Sequence, residues 1–192
     1  TLKPRRVDSL GLAYGFTTQA LGYRMNRHEG KLTGLAAFGE PAQAEALGRH
    51  FNVDAAGVIW SDFDSDAAMR DEIHKLAKGA EPADMAASVQ KVLEDTVLTS
   101  VRNILKRHPV KRLGLAGGVF ANVRLNRLLC EQTDTQETFV FPGMGDEGIT
   151  VGGALQYLLE QDGIEAWLKA RRRLSTVYLG RDYTAEADDV LA

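Results

Sequence analysis

The apolar positions divide the chain into a helical first part and an alternating second part. Leu10, Leu12, Ala13, Phe16, Ala20 and Leu21 recur at roughly helical spacing and predict a first helix. Gly30 to Phe38 reads as a second helix, stopped by Gly39 and Pro41. Phe51 to Trp60 reads as a hairpin with Asp54 to Gly57 in its turn. Ser61 to Ser65 is an acidic loop, and Asp66 is placed to cap a short helix over Ala67 to Leu76. Gly79 and Pro82 mark the next boundary, and Asp84 is placed to cap a long helix that Pro109 ends. Within it Met85, Val89, Leu93, Val97, Val101 and Leu105 recur every four residues, with Val92 and Ile104 beside them. That stripe, about five turns long, is the face expected to meet a sheet or another helix.

Beyond Pro109 the period changes. The pattern predicts strand 111–116, helix 119–132, strand 138–142 and helix 147–161, the last closed by Gln161 to Gly163. Strand and helix in alternation argue for parallel α/β architecture. Trp167 to Leu174 is a further helical stretch, Thr176 to Leu179 a strand candidate, and the chain from Tyr183 an exit segment.

Composition adds mainly exclusions. A chain of 192 residues, 44% hydrophobic and 26% charged, is enough for one substantial core in an ordinary globular domain. A net charge of −3 gives no reason to expect a nucleic-acid partner. The basic clusters at Lys106 to His108, Lys111 to Arg112 and Arg171 to Arg173 read as solvated faces. The single cysteine, Cys130, excludes an internal disulfide and is read as a buried, inert thiol. No apolar run is long enough for a membrane and no secretory signal opens the chain, which makes the cytoplasm the expected location. Because the first residue is Thr1, the chain is expected to be a piece of something longer.

Four groups of residues bear on chemistry. Gly117 and Gly118 follow a strand and precede a helix, where backbone amides approach an anion closely; taken alone, a plain tight turn explains them better. Asn122 and Asn126 are spaced to share one helix face, as amides aimed at a ligand or as solvated side chains. Asp146 stands among Gly143, Gly145 and Gly148 after the second strand, placed either to ligate a cation or to cap a helix. Lys31 opens a helix, where a cation is unfavourable unless it meets an anion, although a surface lysine is the commoner case. His28, His50, His74 and His108 lack metal-ligand spacing, and no Ser-His-Asp triad or paired-cysteine zinc motif is present.

Three segments in order resemble the O-carbamoyltransferases, the family of nodulation, cephamycin and aminoglycoside-antibiotic enzymes. They are Glu29 to Gly39, Leu115 to Asn126, and Pro142 to Gly148 followed by Gly152 to Leu155. The run Tyr178 to Tyr183 is similar to that family's junction to a C-terminal domain. The resemblance implies an α/β fold of the actin/hexokinase-like (ASKHA, ribonuclease H-like) kind, with a mixed sheet and flanking helices. Residues 1–175 would be the second half of the ASKHA domain and 176–192 a linker towards an absent YrdC-like domain.

By the same resemblance, carbamoyl phosphate and ATP give carbamoyl-adenylate, and the carbamoyl group passes to a hydroxyl of a small-molecule acceptor. Iron or another divalent metal polarises the carbonyl in the family, held by two histidines in an HxxxH pattern and a late aspartate; Mg2+ is expected with the ATP. Asp146 matches that aspartate. Gly117, Gly118, Val119 and Asn122 match the nucleotide loop, and Glu29 and Lys31 the segment that approaches the nucleotide. Asn122 and Asn126 are the residues assigned to catalysis, Asn126 near the carbamoyl group or its nucleotide. No HxxxH occurs in the sequence. The chain by itself is therefore expected to be inactive and to hold metal weakly, with no nucleic-acid or membrane partner and with a homo-oligomer allowed. The alternatives are another ASKHA enzyme, such as a sugar or acetate kinase, and a non-catalytic nucleotide-binding module.

Overall fold

A computed structural model of the chain describes residues 9–170 and Gly180. The strand expected at Thr176 to Leu179 and the exit segment from Tyr183 lie outside the described residues, as do Arg171 to Arg173. The chain divides into two compact units, Thr1–Asp146 and Glu147–Ala192.

The first unit is built around one long helix. Its elements in order are α1 (Leu10–Ala20), α2 (Glu29–Leu35), α3 (Ala44–Gly48), β1 (Phe51–Val53), β2 (Ile59–Ser61), α4 (Asp66–Ala77), α5 (Pro82–Arg107), β3 (Arg112–Leu115), α6 (Val123–Gln132) and β4 (Glu137–Val140). Short 3₁₀ turns at Ala36–Phe38 and Gly118–Ala121 extend α2 and precede α6.

The stripe on α5 is the core. Met85, Val89, Val92, Leu93, Val97 and Val101 are all buried, while Ile104 is 41% exposed near the helix end. α1, α2, α3 and the β1–β2 hairpin pack on α5, and α4 packs mainly on α1. Fourteen residues of α5 are buried, more than one stripe supplies, so the helix is covered on several sides.

Two expected caps are placed differently. Ser65, not Asp66, caps α4, with its hydroxyl accepting from the Ala68 amide at 3.1 Å. α5 starts at Pro82, which suits a first-turn position because its missing amide hydrogen is unneeded there. Asp84 therefore lies inside the helix, and its carboxylate accepts from the Glu40 amide at 2.9 Å instead. Ser88 accepts likewise from the Gln43 amide. This lashing requires glycine at position 39, where a Cβ would lie 2.1 Å from the Ala83 backbone.

β1 and β2 form the expected antiparallel hairpin, with Val53 opposite Ile59. β3 and β4 pair in parallel, Leu115 opposite Val140, with α6 as their crossover. Among the described residues the expected mixed sheet is instead two separate two-stranded sheets, one of each kind.

The second unit is described through α7 (Gly148–Ala170), which is broken at Gly163, where φ is 78°, as the expected stop at Gln161 to Gly163 requires. No α7 residue is buried. Cys130 on α6 is exposed rather than buried, because Leu125 and Leu129 form the inward face and Cys130 lies off it.

Candidate active site

Strands β3 and β4 end side by side, and their carboxyl ends carry the two glycine turns. The Gly117 amide donates to the Met144 carbonyl at 2.7 Å, so the turns are tied together. Gly117 has φ 113° and ψ 146°, a region essentially restricted to glycine. No atom lies within 4 Å of where a Cβ would stand at Gly117 or Gly118, which leaves their outer faces open. The Gly118 and Val119 amides donate to no other described residue. Free amides at the end of a parallel strand are the arrangement that receives anions.

Helix α6 begins later than the sequence predicts, because the 3₁₀ turn occupies Gly118–Ala121. Asn122 is consequently the N-cap and not a residue within the helix. Its Oδ1 accepts from the Leu125 amide at 3.0 Å, which satisfies a first-turn amide. The side chain is 8% exposed and faces inward. Its Nδ2 donates to Gln90 Oε1 at 2.8 Å and to Thr33 Oγ1 at 3.4 Å. Asn126 is half-buried; its Nδ2 donates to the Phe120 carbonyl, and its Oδ1 is buried without a partner.

A cavity of about 140 Å³ opens between α1, α2, α5 and this turn. Glu29, Gly118, Val119 and Asn122 line it together, so four of the sequence-chosen residues converge. Tyr14, Thr33 and Leu93 also line it and were not anticipated. Gln90, behind the cavity, was missed as well. Its spacing of four from Glu94, both on the margin of an apolar stripe, is the signal that marks a buried polar pair.

Burial raises the Tyr14 hydroxyl pKa to about 12, an effect the Thr33 hydrogen bond opposes and Glu94 reinforces. Glu29 accepts from the Asn26 amide at 2.5 Å. Lys31 is exposed and lies over the Tyr23 ring at 5.5 Å, away from the cavity lining. Asp146 is exposed in the turn after β4. Among the described residues no three His, Cys, Asp or Glu side chains converge as a metal site. No described helix is long and apolar enough to cross a membrane.

Residues 3–155 match the family described as carbamoyltransferase N-terminus. The chain is 37% identical over 182 residues to the nodulation protein NolNO of Sinorhizobium fredii, covering 91% of this chain and 26% of that protein. It is 32% identical over 186 residues to an uncharacterized protein of Methanocaldococcus jannaschii, covering 93% and 30% respectively. A tRNA N6-adenosine threonylcarbamoyltransferase of Lactiplantibacillus plantarum is 37% identical over 90 residues, 42% of this chain and 25% of that protein. The chain thus spans less than a third of the length of these relatives.

Proposed function

The chain belongs to the carbamoyltransferase family, and from that premise we propose that it is part of an enzyme that transfers a carbamoyl group to a substrate hydroxyl. The observation that carries this reading is the pair of joined strand-end turns, since both lie inside the region matched to the family. The fold is proposed as the second half of an ASKHA-type domain, with 1–175 in that half and 176–192 leading out of it.

In this reading the Gly118 and Val119 amides receive phosphate oxygens of ATP or of the carbamoyl-adenylate made from ATP and carbamoyl phosphate. Gly117 holds the turn in the conformation that turns those amides outward. Asn122 secures the turn from below as the α6 cap, and Glu29 and Val119 border the adjoining cavity. Asn126 ties α6 back to Phe120 and so acts on the same turn. Lys31 lies two residues beyond Glu29 on α2 and is proposed to attract the anion rather than to contact it. A single exposed carboxylate, Asp146, does not make a metal site, and the described residues do not fit a bound iron or Mg2+ by themselves.

The relatives support transfer over direct phosphorylation: the threonylcarbamoyltransferase is named for moving an acyl group of the same chemical kind. The test is an assay of the intact protein with ATP, carbamoyl phosphate and a panel of hydroxylated small molecules. Release of pyrophosphate that requires carbamoyl phosphate, with a carbamoylated acceptor as product, is expected. ADP and a phosphorylated acceptor formed without carbamoyl phosphate would identify a kinase. Nucleotide binding with no turnover would identify a binding module.

A further inference from the structure

The polar ring behind the cavity has only one arrangement of hydrogens. Gln90 Oε1 accepts from the Tyr14 hydroxyl at 2.9 Å and from Asn122 Nδ2 at 2.8 Å. Tyr14 has one hydrogen to give, so at its 3.0 Å contact with Thr33 it must accept. Thr33 therefore donates to Tyr14 and accepts the second Asn122 amide hydrogen. Gln90 Nε2 donates to Asn122 Oδ1 at 3.2 Å and to Glu94 Oε1 at 2.8 Å, and Glu94 is paired with Arg124 at 2.8 Å. Every hydrogen-bonding position of the Gln90 amide is filled, and the side chain is 1% exposed. The ring joins α1, α2 and α5 to the cap of α6, the residue that ends the glycine turn.

We propose that Gln90 is a positioning residue: its two-way amide pairing with Asn122 sets the orientation of the cap and thereby aims the Gly118 and Val119 amides at the nucleotide. This rests on the nucleotide reading of the turn given above. A glutamine suits the position because it both donates and accepts. An ionised carboxylate there would only accept, and would face Asn122 Oδ1 and the Glu94 carboxylate with no hydrogen to offer. The charged or titratable groups around it are Tyr14 on α1, Glu29 on α2 at the cavity wall, Glu94 on α5, and Arg124 on α6 beyond Glu94.

The experiment compares intact wild-type protein with Gln90→Leu, Gln90→Glu and Met85→Ala, measuring the dissociation constant for ATP from neutral to mildly acidic pH. Gln90→Leu should weaken ATP binding about tenfold, because both hydrogen bonds between Gln90 and the Asn122 cap are lost. Gln90→Glu should bind still more weakly at neutral pH and recover as the pH falls, because the protonated carboxyl regains a donor. Met85→Ala, a core change away from the ring, should lower the melting temperature and leave ATP affinity unchanged. Wild-type affinity in Gln90→Leu, an equal loss in Met85→Ala, or no acid recovery in Gln90→Glu would each overturn the proposal. Hydrogen exchange over residues 117–125 without nucleotide is read on the same proteins and should speed up in Gln90→Leu; unchanged exchange would also overturn it. If wild-type protein failed to bind ATP, the nucleotide reading would fall, and the exchange result would separately decide whether Gln90 holds the turn.

Discussion

Tyr14 shows how one residue ties the pH response of the fold to the candidate site. Its hydroxyl is buried against Thr33 and Gln90, and its pKa is pushed up from 10.0 to about 12. A group whose folded pKa lies above its unfolded one favours the folded state in its protonated form. That contribution is complete below the unfolded value and is lost as pH rises through about 12. Two units correspond to something on the order of 2–3 kcal/mol. Ultraviolet absorbance titration should show one tyrosine ionising late and together with unfolding, and Tyr14→Phe should remove that late component. A Tyr14 that titrated at the ordinary value of 10.0 would contradict its burial. This role is not legible from the pattern of residues, because Tyr14 falls in a stripe that reads as apolar. Asn122 was legible as special, since asparagine is a poor helix former. Its direction was not legible, because a cap and a ligand contact place the same residue type at the same spot.

At the scale of elements, the caps were the least readable feature. Ser65 and Asp66 are neighbours of similar capping preference, and only the backbone path selects Ser65. Asp84 is displaced from its expected cap by Pro82 and by the demand of the Glu40 amide. The two side-chain caps should therefore differ in worth. Ser65→Ala at the exposed start of α4 should cost about 1 kcal/mol. Asn122→Ala should cost about 2–4 kcal/mol, since it also removes two of the four hydrogen bonds of the buried Gln90 amide, leaving those to Tyr14 and Glu94. Urea unfolding of both variants checks the order, and equal losses would mean that Asn122 acts as a cap alone. The strand–helix–strand unit was read almost entirely from the sequence, because two short apolar strands flanking a helical period have few other arrangements.

At the scale of the whole molecule, stability is concentrated in α5. This helix buries fourteen residues, whereas α7 buries none and leaves Ile149, Leu155, Leu158 and Leu168 exposed. Local unfolding follows buried contact, so amide exchange should be slowest in the middle of α5 and far faster along α7. Mass-resolved hydrogen exchange checks this, and equal protection in the two helices would show that α7 is covered in solution. The sequence by itself determined the α5 stripe, the hairpin, the parallel pair and the two glycine turns. Each follows from the period of apolar residues or from a conformation that few residues adopt. Only the tertiary structure decided that the turns are tied through Gly117 and Met144, that Asn122 faces inward, and that Gln90 completes its hydrogen bonds. Those contacts join residues far apart in the chain, and a hydrogen bond depends on distance and direction, which periodicity does not encode.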